Sequence, residues 1–192
     1  MDIEAILDGL VSKSLGEQVA ASQALQALGP EAARRLIHLV AHSHSEDPRA
    51  RLARELLVNW SDVQAVGAFA EAIHPPTLPY YVISPLERLL PRLTGEDARL
   101  LDSVQRERLH SLLYLQYAER YPGLLIAIIE GLLRIRDEAA LPSIRRLAES
   151  FCRQQVRSAA QEGLKRWAFG REECIGQFSS ALDRPRGDKT ER

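Results

Sequence analysis

Apolar positions along the chain recur with the period of a helix and not with the alternation of a strand. In residues 156–167, Ala159, Ala160, Gly163, Leu164 and Trp167 fall on one stripe of a 3.6-residue helix. The same five-position stripe returns as Ala20, Ala21, Ala24, Leu25 and Leu28, then as Leu52, Ala53, Leu56, Leu57 and Trp60. It returns again as Pro85, Leu86, Leu89, Leu90 and Leu93, and as Ala127, Ile128, Gly131, Leu132 and Ile135. Successive stripes begin 32, 33, 42 and 32 residues apart. Any amphipathic helix carries such a stripe, so the near-constant spacing is what signals a repeat.

Between these B helices the pattern predicts a second set of A helices over about residues 3–12, 30–42, 62–73, 96–117 and 137–150, each joined by a short connection that makes neighbours antiparallel. Ser14 with Glu17, Ser61 with Gln64 and Ser84 with Glu87 have capping-box spacing. Pro30, Pro48 and Pro122 suit first helical positions, where a missing N–H costs nothing, and Gly29 suits a helix stop. No sustained period-2 alternation and no Asn-Gly turn competes. The expected fold is all-α: a right-handed α-solenoid of about five stacked helix pairs over residues 1–169. A tail over 170–192 follows. In it Cys174, Ile175, Phe178 and Leu182 share one face of a short helix, and the apolar-free stretch from Arg184 is expected to be disordered.

Two segments of the last repeat carry a family resemblance. Ala140-Leu141-Pro142-Ser143-Ile144-Arg145-Arg146-Leu147-Ala148 resembles the A helix of HEAT repeats with its Leu-Pro kink, and residues 156–164 resemble the B helix. The resemblance is to the short-repeat bacterial branch. It covers about residues 3–168, strongest in the last repeat, fair in the first two and weakest in the middle. The Trp-Leu-Gly-Tyr pattern of tetratricopeptide repeats and the Thr-Pro-Leu-His pattern of ankyrins are absent. The HEAT resemblance implies that B helices line a concave surface on which a partner protein docks.

The middle of the chain departs from the repeat. His74-Pro75-Pro76-Thr77-Leu78-Pro79 is too rich in proline for a helix and reads as a stiff linker. Residues 79–83 are then either a separate turn or the first arm of a kinked helix. The fourth unit is longer than the others and crowded with Leu109, Leu112, Leu113, Tyr114, Leu115, Tyr117 and Tyr121. Opposite the stripe, the first two B helices carry Val19, Ser22, Gln26 and Arg51, Arg54, Val58, whereas the fourth carries Ile126, Ile129 and Leu133. A helix apolar all round is buried all round, so that face is covered either by the chain itself, through the long A helix or the tail, or by a partner.

Composition narrows the classes of function. The 192 residues, 45% of them hydrophobic, suffice for a core without disulfides or metal. Basic and acidic side chains nearly balance at a net charge of -1, which excludes a bulk attraction to nucleic acid or anionic membrane. The halves differ mildly: residues 1–96 hold 8 basic and 12 acidic side chains (-4), residues 97–192 hold 17 and 14 (+3). Two cysteines make no disulfide framework, the start Met1-Asp2-Ile3-Glu4 lacks the basic flank of a secretory signal, and the longest apolar run, residues 124–129, is too short to span a bilayer. The expected location is the cytoplasm.

Candidate chemistry is sparse. His38 and His42 lie one helical turn apart and, with His44 and Glu46 or Asp47, have the residue types of a metal site; solvated helix-end histidines are the ordinary outcome of such spacing. The His-Glu dyads that hold iron in HEAT-like hydroxylases are absent. Cys152 and Cys174 have no neighbouring motif that would activate a thiol. No Gly-rich phosphate loop, nucleophile elbow or Cys-x-x-Cys is present, so no catalytic residue, metal or cofactor is expected. Arg92, Arg134 and Arg166 share one phase, two residues beyond Leu90, Leu132 and Leu164. They form either a column that grips an acidic partner, phosphate or nucleic acid, or a ladder between adjacent units with carboxylates such as Asp137 and Glu162. The expected function is non-catalytic protein binding through Arg51, Arg54, Arg92, Ile126, Ile129, Leu133, Arg134 and Arg166. The alternative is a bilin lyase-like enzyme or chaperone, which short HEAT repeats also resemble. Nucleic-acid binding is a third class that the charge balance disfavours.

Overall fold

The computed structural model describes residues 3–182 except Lys13, Ser45 and Phe151, with the side chains of Glu4 and of residues 170–182 outside the description. Among the described residues every regular element is helical and no strand forms. In chain order they are α1 (Ile3–Leu10), α2 (Leu15–Ala27), α3 (Pro30–His42), α4 (Pro48–Val58), α5 (Val66–Glu71), α6 (Tyr80–Leu89), α7 (Ser103–His110), α8 (Leu115–Arg120), α9 (Pro122–Arg134), α10 (Leu141–Glu149) and α11 (Gln154–Leu182). Short 3-10 turns at Val63–Ala65, Leu90–Arg92, Gly95–Leu100 and Glu138–Ala140 lead into or out of them.

Local chemistry explains most helix starts. Pro30, Pro48 and Pro122 open α3, α4 and α9. Gly29 turns the chain between α2 and α3 at φ 62°, a conformation that costs glycine nothing. Side-chain capping differs from the spacing-based expectation. Ser14 precedes α2 without a cap bond, while the Ser12 hydroxyl donates to Glu17. Asp62, and not Ser61, accepts the Gln64 N–H at 3.0 Å. Ser84 lies inside α6, because that helix already begins at Tyr80; residues 80–83 are thus its first arm, with Pro85 in its interior. Reciprocal capping boxes occur instead at Thr94 with Asp97 and at Asp102 with Gln105.

Those two boxes account for the largest departure from the predicted elements. The long A helix expected over 96–117 is broken into the 3-10 turn Gly95–Leu100, α7 and α8, with Leu101 extended at φ -120°, ψ 113°. The break folds the extra residues into the interior: Leu101, Leu109, Leu112, Leu113 and Tyr117 are all buried. The Leu141-Pro142 step likewise begins α10 and does not kink it.

Consecutive helices pack as hairpins: α1 on α2, α3 on α4, α5 on α6, α8 on α9 and α10 on α11. On one side α3, α5 and α7 lie in sequence, and on the other α4, α6, α9 and α11 do. At the N-terminal end the order changes, with α1 also packed on α4 and α2 on α3. One apolar core runs between the two layers and includes Leu25, Leu36, Leu57, Leu86, Leu90, Leu109, Ile128, Leu132 and Ile144, all fully buried. Each such side chain contributes about 1.5–3 kcal/mol relative to exposure. Trp60 meets Phe69 edge-on at 6.4 Å between centroids. Close approach also demands glycine: a Cβ on Gly67 would lie 2.7 Å from the Leu100 carbonyl oxygen.

Polar links join segments 27 to 37 residues apart. Arg34 Nε pairs with Glu71 at 3.0 Å, Arg153 Nε with Glu119 at 3.2 Å, and His110 Nε2 with buried Asp137 at 3.0 Å. Asp137 also accepts the Ala139 N–H at 3.1 Å, so both its oxygens are used. The first two pairs are exposed and contribute little, whereas Asp137 is a buried carboxylate that depends on its partners.

Helix α11 passes Gly170 without a backbone break. The side chains of Cys174, Ile175, Phe178 and Leu182, and all of residues 183–192, lie outside the described residues. Among the described residues no helix is long and apolar enough to cross a membrane.

Candidate functional site

Each inner B helix has three occupied sides and one open strip. On α9, Gly131 meets Leu90 at the end of α6, and Ile129 and Leu133 lie opposite, against Gly163 of α11. Leu125, Ile128 and Leu132 fill the inward side with no exposure. By helical phase Glu130 and Arg134 point outward. The apolar face of residues 124–133 is therefore covered by the neighbouring B helix. Ile129 is 0% and Leu133 9% exposed. That corrects their assignment to an open partner-binding surface; Ile126, at the edge, is half-buried. The expectation placed them opposite the stripe, but in a row of helices that direction is the seam to the next helix.

The same register sorts the arginines. Arg51 and Glu55 are exposed on the outer strip of α4, whereas Arg54 is half-buried and turned toward α6. There burial pushes the Tyr81 phenol up, and the Arg54 charge partly offsets it. Arg88 donates to the Val58 carbonyl and, at 3.2 Å, to that of Trp60; Arg92 donates to Ser61 at 2.6 Å. Arg88 thus satisfies the last carbonyl of α4, the favourable place for a cation, and Arg92 ties down the loop that follows it. Glu87, on the flank of α6, lies against Gly123 at the start of α9, and burial pushes its carboxyl up. Arg166 pairs with Glu162 one turn away at 3.5 Å, and Arg134 makes no ion pair or hydrogen bond among the described residues. The column of Arg92, Arg134 and Arg166 is therefore divided: Arg92 reaches back to a backbone carbonyl and not to a carboxylate, so the expected carboxylate ladder is not what it forms, and the last two face solvent.

Arg134 and Arg166 meet in a groove of about 200 Å³ between α9 and α11, together with Glu130, Leu133, Arg136, Gly163 and Trp167. Arg136 is the residue that sequence reasoning missed. It follows α9 at φ 59°, with its N–H bonded to Leu133 at 3.2 Å and the Asp137 N–H bonded to Leu132 at 3.0 Å. This is a Schellman motif with arginine where glycine is usual, a left-handed conformation costing about 1–2 kcal/mol. The guanidinium stacks 4.9 Å from the Trp167 ring centre and reaches the Trp167 carbonyl at 3.5 Å. The available signal was arginine in place of the glycine expected just past a helix end.

A second groove, about 440 Å³, opens between α3, α5 and the 74–79 linker, whose lining includes Arg34, His38, His42, Glu71, His74 and Tyr81. The His38 and His42 rings stack at 4.0 Å, and His42 Nδ1 lies 2.9 Å from the His38 carbonyl oxygen. Arg108 Nη1 stands 3.5 Å from His74 Nε2. Asp47 caps α4 by accepting the Arg49 N–H at 2.9 Å, and His44 is exposed on the connecting loop. Among the described residues no three His, Cys, Asp or Glu side chains are grouped as metal ligands. Cys152 is half-buried, with Sγ 3.6 Å from the Leu147 carbonyl oxygen.

Comparison of the chain with protein-family models, curated proteins and solved structures gave no match.

Proposed function

We propose that the chain is a right-handed α-solenoid of HEAT type and acts as a non-catalytic cytoplasmic scaffold, holding a partner protein on the concave strip of its B helices. The supporting observation is the row α4, α6, α9, α11, in which the inner helices α4, α6 and α9 are packed on both flanks and on the inner side, and all four present one strip of long charged side chains. Along that strip stand Arg51 and Glu55, Arg88 and Arg92, Glu130 and Arg134, Glu162 and Arg166. A repetitive charged strip over a closed apolar layer suits an extended protein surface better than a small substrate. Arg51, Arg134 and Arg166 are the proposed contacts, with Ile126 at the edge; Arg54 and Arg92 hold the strip in place.

Photocrosslinking in cells tests this reading. A photoreactive residue at Arg51 or Ser158 on the strip is expected to trap a discrete partner, and one at Arg145 on the A layer is not. Crosslinks from Arg145 alone, or from none of the three positions, overturn the proposal.

A further inference from the structure

Resting on that scaffold reading, we propose that the groove between α9 and α11 receives an acidic segment of the partner protein. Its carboxylates pair with Arg134 and Arg166, and an adjacent aliphatic side chain lies against Leu133, Gly163 and the Trp167 ring. Charge is the first argument. Three guanidiniums converge on a groove whose lining contains one carboxylate, Glu130. Arg134 has no counterion among the described residues, and the Arg166–Glu162 pair is 68% and 61% exposed, so water screens it and an incoming carboxylate displaces it at little cost. Guanidinium and carboxylate match in bidentate geometry.

Strain is the second argument. Arg136 occupies a backbone conformation that glycine would relieve, yet its side chain is laid over Trp167, fixing one wall of the groove and one positive charge. Residues held in such conformations cluster at active sites and ligand clamps. The third argument separates a protein segment from nucleic acid. Glu55, Glu130 and Glu162 stand in the same strip beside the arginines, and they repel a continuous phosphate backbone while leaving room for carboxylates placed singly.

The test titrates the full chain with a fluorescein-labelled hexapeptide of repeating Glu-Glu-Leu, its Gln-Gln-Leu counterpart, inorganic phosphate and an oligothymidylate. Peptide anisotropy and Trp167 emission are followed together; fully buried Trp60 gives a constant background. The acidic peptide is expected to bind at least tenfold tighter than the glutamine peptide and to weaken with salt. Charge reversal of both Arg134 and Arg166 is expected to reduce affinity at least tenfold. Arg136→Gly is expected to weaken binding at least threefold while its urea midpoint is unchanged or higher, a split that a purely structural role for Arg136 would not give. Equal binding of the two peptides, or no binding, overturns the proposal, as does phosphate or the oligonucleotide displacing the acidic peptide at equal concentration. If the Arg51 crosslinks persist while the acidic peptide fails to bind, this groove assignment is wrong and the scaffold reading stands. If the crosslinks are absent as well, both fall.

Discussion

The two ends of the B-helix row are built from the same stripe and close differently. Between α9 and α11, Ile129 and Leu133 press against Gly163, and the seam is shut beneath its charged rim. Between α2 and α4 a groove of about 320 Å³ remains, lined by Gln18, Ser22, Gln26, Leu52, Glu55 and Asn59 among others. Ser22 and Gln26 occupy the helical phase that Ile129 and Leu133 occupy in α9. Closing that seam would strip water from amide and hydroxyl groups, at about 1–3 kcal/mol for each one left without a partner. Helix α4 is covered instead by α1, through buried Leu7 and Leu10 and an Arg49–Asp8 ion pair. The stripe makes a helix amphipathic; the two flank positions decide which neighbour it keeps.

Matched substitutions at the two seams give the most severe test. Ile129→Asp is expected to cost about 4 kcal/mol or to prevent folding, because a carboxylate enters a dry seam. Gln26→Asp, at a wet position, is expected to change the urea midpoint by no more than about 0.5 kcal/mol equivalent. Comparable losses at both sites would erase the distinction between the ends.

Glycine replacements probe the same contrast more gently. Gly163→Ala places a methyl group on Leu133 Cδ1, a flexible chain end, and is expected to cost about 1 kcal/mol after the gain in helix propensity. Gly16→Ala in α2 meets nothing nearer than its own Ser14 Oγ at 3.8 Å and is expected to gain about 0.5 kcal/mol. Thermal unfolding of the two variants should move in opposite directions.

The smallest effect lies outside both seams and sets a baseline. The Thr94 hydroxyl, and then the Thr94 backbone N–H, hold the Asp97 carboxyl below its usual value. A depressed folded-state value stabilises the protein above the unfolded pKa, and the contribution disappears as pH falls through the folded value. Asp97→Asn should therefore be slightly less stable than the parent at pH 7, with the gap closing as the pH drops below about 4. Because the group is near the surface, a gap as large as that from Gly163→Ala would mean that the turn at Thr94 matters to the fold as much as a seam does.

Much of the helical layout is local in origin and was readable. The span 30–42, the proline starts of α3, α4 and α9, and the stripes of α6 and α9, buried throughout, follow from backbone conformational limits and from contacts between residues three and four apart, whereas in α2 Ala20 is exposed and only Ala21 and Leu25 of the stripe are buried. Capping was less readable, because Asp62 and Ser61, or Ser84 and Pro79, compete for the same turn and only the surrounding packing chooses. The split of 96–117 shows the same limit: Leu109, Leu112, Leu113 and Tyr117 are apolar enough to continue a helix, yet they are buried in a chain that bends at Leu101, with α7 packed on α5 and α8 on α9.

By itself, then, the sequence determined the helical class and the core-facing side of α4, α6 and α9, since periodicity records how a segment divides between water and core. Only the tertiary structure decided that α11 covers Ile129 and Leu133, that Arg92 bonds the Ser61 carbonyl while Arg134 stays open, and that Arg136 lies over Trp167. Those outcomes depend on pairs about 30 residues apart, and an apolar or basic side chain carries the same hydropathy and charge whichever neighbour finally meets it.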